Sequence, residues 1–377
     1  ITKIGGVKHI EQKFDTFIQS PLIWHYRNKM DYSFSSIGYI KKTNTVVDEF
    51  SLGFKKINTW WMVENLEKDS GLFDKTWENS IKNIRKYCAE TGLAAWNIPQ
   101  KKGFFRNLVV RKSIKNNNFL VELITSSENL KNFKKNDFCQ KILNLHSNRI
   151  EGIIHTINDN ISDRVDYSKV QSNLLFGSNT IHESILDLKF EISMNSFFQT
   201  NPKSAEKLYS KVYEYVFEKN ISENNVILDL FCGTGTITQI IANKNPKLKV
   251  IGVDIIEKAI ENALKSTKKN KIKNASYFIG DVGKFLFEKK ELINKINSVI
   301  IDPPRSGVSK KSLKKIIELN SKKIIYVSCD PSTQARDIHF LQENKYKLVK
   351  FSIIDQFPHT YHIETIALLE KEKTSYI

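Results

Sequence analysis

From about residue 225 onward the chain alternates short apolar runs with helix-like stretches, and this alternation constrains the fold more than any other feature. VILDLF (226–231) reads as a buried strand, followed by a glycine-rich turn and a helix around 238–243. VIGVDI (250–255) is a second strand, with a helix over 257–266 behind it. SYFIGDV (276–282), SVIIDPP (298–304) and IIYVSC (324–329) read as further strands. Strand–helix alternation of this kind predicts a parallel sheet covered by helices on both faces. In such a doubly wound α/β sheet, ligands bind outside the carboxyl ends of the strands.

The first half has a different grammar. Short alternating runs, YRNKMDYSFS (26–35), DEFSLGFK (48–55), FRNLVVRKS (105–113) and NFLVELIT (118–125), are separated by helical stretches at 76–91 and 137–145. They predict an α+β domain built on an antiparallel sheet. The join falls within 185–195. We therefore expect an α+β domain over 1–188 and a Rossmann-like domain over 189–377, the latter starting with an amphipathic helix at 202–217.

Composition narrows the partner. The formal net charge is +17, and both halves of the chain are basic. A charge of this size suits a polyanion partner, through long-range attraction and counterion release. A lysine-rich codon bias is the plainer reading of segments such as 265–274. No apolar run is long enough for a bilayer, so no membrane partner is expected. Cys88, Cys139, Cys232 and Cys329 are scattered without a C-x-x-C pair, which speaks against a disulfide framework or local zinc site and for the reducing cytoplasm. The first residue is Ile1, and we expect the natural N-terminus to lie upstream. Nothing demands more than a monomer.

LDLFCGTGT places Gly233 and Gly235 directly after a strand, where glycine lets the backbone turn tightly and lets a ligand approach the main chain. Asp254 closes the next strand about twenty residues on, where a carboxylate binds ribose hydroxyls. Ile237 and Thr238 stand where a dinucleotide fingerprint would have its third glycine. A GTG turn, then VD, then GD with Asp281 is the pattern of S-adenosylmethionine methyltransferases. Asp281 is then expected to accept from the adenine amine. The plainer reading is turn glycines and capping aspartates.

DPPRSG (302–307), SCDPSTQARD (328–337) and FPHTYHIET (357–365) would converge on the same sheet edge. Cys329, Asp302 and Glu364 are the chemistry-bearing residues there. A cysteine after a strand is more often a small buried residue. His359 and His362 are further candidate bases, but without a third ligand they make no metal site.

Together with SFFQTN (196–201), YRNKMDYSF, GFK and GFFRNLVVR, these motifs resemble those of the RNA uracil-C5 methyltransferase family, which modifies tRNA or ribosomal RNA. The resemblance covers the second domain and extends into the first. It implies S-adenosylmethionine as cofactor, Cys329 as nucleophile and Glu364 as acceptor of the C5 proton. It implies cofactor contacts from Gln199, Phe231, Thr236 and Asp254, with Asp302 lining the shared pocket and Arg305 beside it on the substrate side. It tilts toward 23S ribosomal RNA over tRNA. Many members have Asn at the position of Thr236. Some carry an N-terminal β-barrel and a four-cysteine iron–sulfur cluster. No cysteine precedes Cys88, so no cluster is expected in this chain.

Uracil-C5 methylation needs one reactive thiolate, one base and donors that polarise the uracil carbonyl. A cytosine-C5 enzyme would place a cysteine inside the proline motif, and an amino-group methyltransferase would want an aromatic there; both meet Arg305 instead. A catalytically silent RNA-binding factor on the same fold is the alternative from another class. Tyr26, Arg27, Lys29, Phe105, Arg106 and Arg111 are read as an RNA-binding surface, with the two aromatics among them read equally as core.

Overall fold

Residues 14–18, which no sequence pattern marks, form a strand that joins the far end of the chain. A computed structural model describes residues 2–161 and 165–372. It opens with α1 (Thr2–Gly5) and β1 (Phe14–Ile18). β1 runs parallel to a strand near the C-terminus, with Phe14 beside Phe351 and Ile18 beside Ile354. The chain packs as two compact units, and their limits differ from a single cut between 188 and 189. Trp24–Glu183 and Phe190–Pro202 form one; the described residues before 24, Ser184–Lys189 and those from 203 onward form the other.

The unit containing Trp24 is built on a seven-stranded sheet. Its strands are β2 (Lys29–Ile40), β3 (Thr45–Lys55), β4 (Val63–Asn65), β5 (Phe105–Lys112), β6 (Phe119–Thr125), β7 (Ile150–Ile157) and β8 (Gln171–Gly177), in the order β3-β4-β2-β5-β6-β7-β8. Helices α2 (Lys75–Glu90) and α3 (Lys135–His146) supply Trp77, Ile81, Ile84, Phe138 and Ile142 to a core shared with Tyr32, Phe105, Leu108, Phe119 and Val121 of the strands. The expected antiparallel sheet is in fact mixed: β6–β7 and β2–β4 pair in parallel. The reason for the first is α3, which carries the chain back to the starting end as a crossover must.

A two-stranded ribbon, β9 (Thr180–Ile185) and β10 (Leu188–Ser193), follows. Then α4 (Pro202–Val216) precedes the alternating region: β11 (Val226–Leu230), α5 (Thr236–Lys244), β12 (Lys249–Asp254), α6 (Glu257–Lys269), β13 (Ala275–Ile279), α7 (Val282–Glu288), β14 (Ile296–Ile301), α8 (Lys310–Glu318), β15 (Lys323–Ser328), α9 (Pro331–Glu343), β16 (Tyr346–Ile354) and β17 (Glu364–Lys371). The sheet order is β1-β16-β17-β15-β14-β11-β12-β13. Strands β11 to β15 are parallel, and β17 inserts antiparallel between β15 and β16. This is a Rossmann-like, doubly wound α/β fold.

Its strands read as continuous apolar runs because both faces are covered. Leu228, Leu230, Val253, Val299, Ile301, Ile324 and Tyr326 share one core with Phe285, Leu313, Ile316, Ile338 and Leu341 of the helices. From β11 the order runs outward one way to β13 and the other way through β14 and β15, so the switch point lies between β11 and β14. A crevice opens at the carboxyl ends of such a pair. Among the described residues no helix is long and apolar enough to cross a membrane.

Candidate active site at the carboxyl edge of the sheet

Strand register brings the predicted residues to one edge. Leu230, the last residue of β11, sits beside Val253 and Ile301. The next residues, Phe231, Asp254 and Asp302, therefore stand side by side at its carboxyl edge. Ile301 sits beside Tyr326, and Ser328 stands opposite Thr365. Because β17 is antiparallel, it begins where β15 ends. One step beyond the Ser328–Thr365 pair, Cys329 lies across from Glu364.

The turn after β11 is shaped from within. Phe231 has φ 61° and stays about one-third exposed, an unusual backbone for an aromatic residue. Gly235 N–H donates to the Cys232 carbonyl at 2.8 Å. The two glycines serve different ends. A Cβ on Gly235 would lie 2.5 Å from the Tyr277 hydroxyl, whereas a Cβ on Gly233 would meet nothing within 4 Å. Gly235 is required by packing, and Gly233 faces open space.

Asp254 holds this turn. Its Oδ2 accepts from Gly233 N–H at 2.9 Å and its Oδ1 from Ile256 N–H at 2.8 Å. Each oxygen keeps a second lone pair for a hydroxyl. Beside it Ile255 is 70% exposed, an apolar shelf next to a polar anchor. Open space over Gly233, a carboxylate and an apolar shelf fit a nucleoside with a ribose diol. Thr236 is the first residue of α5 at the same turn. Asp281 caps α7, its Oδ1 accepting from Lys284 N–H at 2.8 Å.

Asp229 was missed in the sequence, though a lone carboxyl inside VILDLF was a signal. It is fully buried under the turn, and its Oδ2 accepts from the Thr238 hydroxyl at 2.6 Å. Burial pushes its carboxyl up to about 7, opposed by that hydrogen bond and assisted by the charge of Asp302.

The candidate residues at this edge are electrostatically connected. Burial pushes Glu364 up to about 8, with the Asp302 charge adding and Arg305 opposing. Asp302 is partly exposed, yet protein crowds its carboxyl enough that lost hydration pushes it up to about 7. The Cys329 thiol is half-buried. Desolvation raises its pKa first, Glu364 and Asp302 raise it further, and the Arg305 guanidinium pulls it down. The arrangement holds a thiol and two carboxyls near their neutral forms, with the Arg305 guanidinium opposing the shifts of Cys329 and Glu364.

Residues downstream of Cys329 fix its position. The Ser328 hydroxyl accepts from Asp330 N–H at 3.1 Å, and Asp330 caps α9 by accepting from Ser332 and Thr333 N–H. The Thr365 hydroxyl donates to Gln334 Oε1 at 2.9 Å, and Gln334 Nε2 donates to the Tyr326 carbonyl at 2.9 Å. The Thr333 hydroxyl donates to the Arg305 carbonyl at 3.1 Å, tying the DPPR turn to α9. Asp337 accepts from Val308 N–H at 2.7 Å and the Tyr326 hydroxyl at 2.6 Å. None of these supports was identified from sequence. In the loop before Glu364, His359 has φ 63° and Tyr361 packs on His362 with ring centroids 4.1 Å apart. Among the described residues no three His, Cys, Asp or Glu side chains gather as a metal site.

In the other unit, the reading of Phe105, Arg106, Arg111 and Tyr26 as an RNA-binding surface is corrected. All four are buried, and Lys29 and Arg27 are half-buried. Arg111 donates to the carbonyls of Met194 and Ser196, and Lys29 Nζ donates to Met194 O at 3.2 Å. Asn28 Nδ2 donates to the Gln199 carbonyl at 3.1 Å. These polar groups go inside because the irregular segment 194–199 has carbonyls that no sheet ladder satisfies. Gln199 thus sits on a segment gripped from beneath.

The family described as tRNA (uracil-5-)-methyltransferase matches residues 163–372 of this chain. An uncharacterized RNA methyltransferase of Clostridium acetobutylicum is 39% identical over 98% of this chain and 76% of its own length. A second, from Caldanaerobacter subterraneus subsp. tengcongensis, is 37% identical over 97% of this chain and 76% of its own. Among solved structures, the Pyrococcus abyssi tRNA (uracil-54, C5)-methyltransferase in complex with S-adenosyl-L-homocysteine matches with a TM-score of 0.72. That match covers 98% of this chain and 80% of the other, at 26% identity.

Proposed function

The chain belongs to the tRNA (uracil-5-)-methyltransferase family of S-adenosylmethionine-dependent RNA methyltransferases, and from that premise we propose that it methylates C5 of a uridine through a covalent adduct on Cys329. The observation that carries this reading is the register that sets Cys329 across from Glu364, with Asp302 and Arg305 in electrostatic reach of both. S-adenosylmethionine, when bound, supplies an electrophilic methyl group; Gly233, Gly235, Thr236, Asp254 and Phe231 would hold it, with Asp281 and Gln199 proposed as further contacts.

Uracil C5 is a weak nucleophile. Addition of the Cys329 thiolate to C6 moves the ring π electrons toward C5 and O4, giving an enolate. Asp302, held near neutrality, donates a hydrogen bond to O4 in its protonated form, as a carboxyl kept neutral by its surroundings does elsewhere. After C5 has gained the methyl group it still bears its hydrogen. Ionised Glu364 takes that proton, the C5–C6 double bond re-forms, and the Cys329 sulfur leaves as thiolate. The target must be unpaired or flipped out of its stack. We place this activity in the cytoplasm, with thiols reduced and a monomer sufficient.

The test is RNA containing 5-fluorouridine, incubated with the protein and S-adenosylmethionine. Fluorine cannot leave as a proton, so a protein–RNA adduct that survives denaturation is expected. Sequencing the trapped RNA separates 23S ribosomal RNA, toward which the motifs tilt, from tRNA, the substrate in the family's description. No adduct, with RNA and cofactor binding intact, would favour a silent RNA-binding factor.

The pH profile follows from the cluster. Both Cys329 and Glu364 must be ionised, and both are shifted upward. Ionisation of Glu364 at about 8 raises the rate with pH while loss of the Asp302 proton at about 7 lowers it, so the profile is bell-shaped, its acid limb set by Cys329 and Glu364. Arg305→Gln removes the cation that favours both ionised forms. It should move the rise alkaline and cost roughly tenfold in kcat/KM at neutral pH, about one pKa unit's worth, with partial recovery above it. A loss equal at every pH would mean that Arg305 acts only by contact.

A further inference from the structure

Between Asp302 and Glu318 the chain carries five cations and no acidic residue: Arg305, Lys310, Lys311, Lys314 and Lys315. Lys315 is committed to Glu318 at 2.9 Å. Lys310, Lys311 and Lys314 are exposed and have no ion pair among the described residues. α8 packs between α7 and α9. The acids those helices offer are already engaged: Glu288 with Lys284, Asp337 with Arg336, and Glu343 with His339.

Placement makes the three lysines more than a solvated face. α8 is the crossover from β14 to the adjacent parallel β15, so its first turn lies at the carboxyl edge of the sheet, where Asp302 and Arg305 sit. Lys310 and Lys311 occupy its first two positions and Lys314 the next turn, behind the cap Ser309. The partial positive charge at a helix start disfavours cations there and favours Asp or Glu. Helix α2 also starts on a lysine, Lys75, but offsets it with Asp74 as cap and Glu78 in its first turn, whereas α8 has no acidic residue in its first turn. A sequence that breaks a local rule without local compensation points to use elsewhere. Solubility alone could be served by lysines at the other end of α8.

We propose that Lys310, Lys311 and Lys314 form a basic strip that grips the phosphodiester backbone of a single-stranded RNA segment flanking the target uridine. The occupant follows from charge complementarity. Three unpaired ammonium groups, spaced along about one helical turn beside Arg305, suit successive phosphates rather than one small anion, and lysine binds phosphate as a point charge without reading sequence. The inference rests on the RNA-methylating function proposed above and adds where the strand runs.

The probe is a fluorescently labelled oligouridylate, titrated across a potassium chloride series against wild type, K310Q/K311Q/K314Q and K268Q/K271Q/K273Q. The last variant removes the same charge from an exposed cluster around the end of α6, at the opposite edge of the sheet. For single strands each phosphate contact adds about 0.7 to the slope of log affinity against log salt, so the α8 variant should lose about 2 from that slope and bind at least tenfold more weakly at low salt. The α6 variant should lose much less. With RNA substrate, the α8 variant should raise KM and keep kcat. Its melting temperature should hold or rise, since neutral residues replace cations at a helix start. Equal slope losses in the two variants, or none, overturn the strip. Wild type that binds oligouridylate but transfers no methyl group removes the catalytic reading instead, and the slopes still decide the strip.

Discussion

Cys329→Ala should leave methyl transfer at or below about one ten-thousandth of the wild-type rate, with cofactor binding unchanged. Without a nucleophile at C6, C5 lacks the electron density to attack a methyl group, and the other residues cannot restore it. Loss of a covalent nucleophile is of this order in other enzymes, because it removes a step of the reaction rather than a share of the binding energy. The substitution removes one sulfur from a half-buried site, so the fold should persist. Alanine also leaves Gly233 and Asp254 untouched. Calorimetric binding of S-adenosylmethionine should therefore match wild type, while the fluorouridine adduct disappears. Cys329→Ser should be nearly as inactive, because a hydroxyl beside Glu364 and Asp302 stays protonated at any usable pH. Residual activity above about one hundredth of wild type would assign Cys329 to packing and require another nucleophile.

The turn proposed to hold the cofactor and the residues proposed to react are legible as candidates in the sequence because each sits at a strand end marked by local chemistry. LDLFCGTGT joins a buried run to two glycines, and IIYVSC ends in the one residue type that can be a soft nucleophile. What stayed hidden depends on distant pairing. β1, the half-exposed run FDTFI, gains strand character only by pairing with β16, more than three hundred residues away. The opposition of Cys329 and Glu364 depends on β17 inserting antiparallel, which alternation cannot announce. Arg106 and Arg111 misled for the opposite reason. Arginine usually signals surface, but here it satisfies carbonyls of irregular backbone inside a unit.

The same register makes Glu364→Gln the more discriminating substitution. It should lower turnover by about a thousandfold, the middle of the range for a positioned base, and convert ordinary uridine-containing RNA into a stable, methylated protein–RNA adduct. Glutamine keeps the shape but cannot take the C5 proton, so the reaction stops after methyl transfer. Adduct formation itself should not slow. The Glu364 charge holds the Cys329 thiol up, and its removal lets the thiolate form at lower pH. Stability supplies an independent sign. A carboxyl pushed up to about 8 binds its proton more tightly in the folded state than in the unfolded chain. Its ionisation therefore destabilises the fold progressively as pH rises from the ordinary carboxylate range through about 8. The glutamine variant escapes this penalty and should melt above wild type at alkaline pH while matching it in acid. A variant that is slow, forms no adduct and melts lower at all pH values would make Glu364 a structural residue. A variant that is slow, carries trapped methylated RNA and melts higher would show a base whose burial costs stability and is kept for the proton it removes.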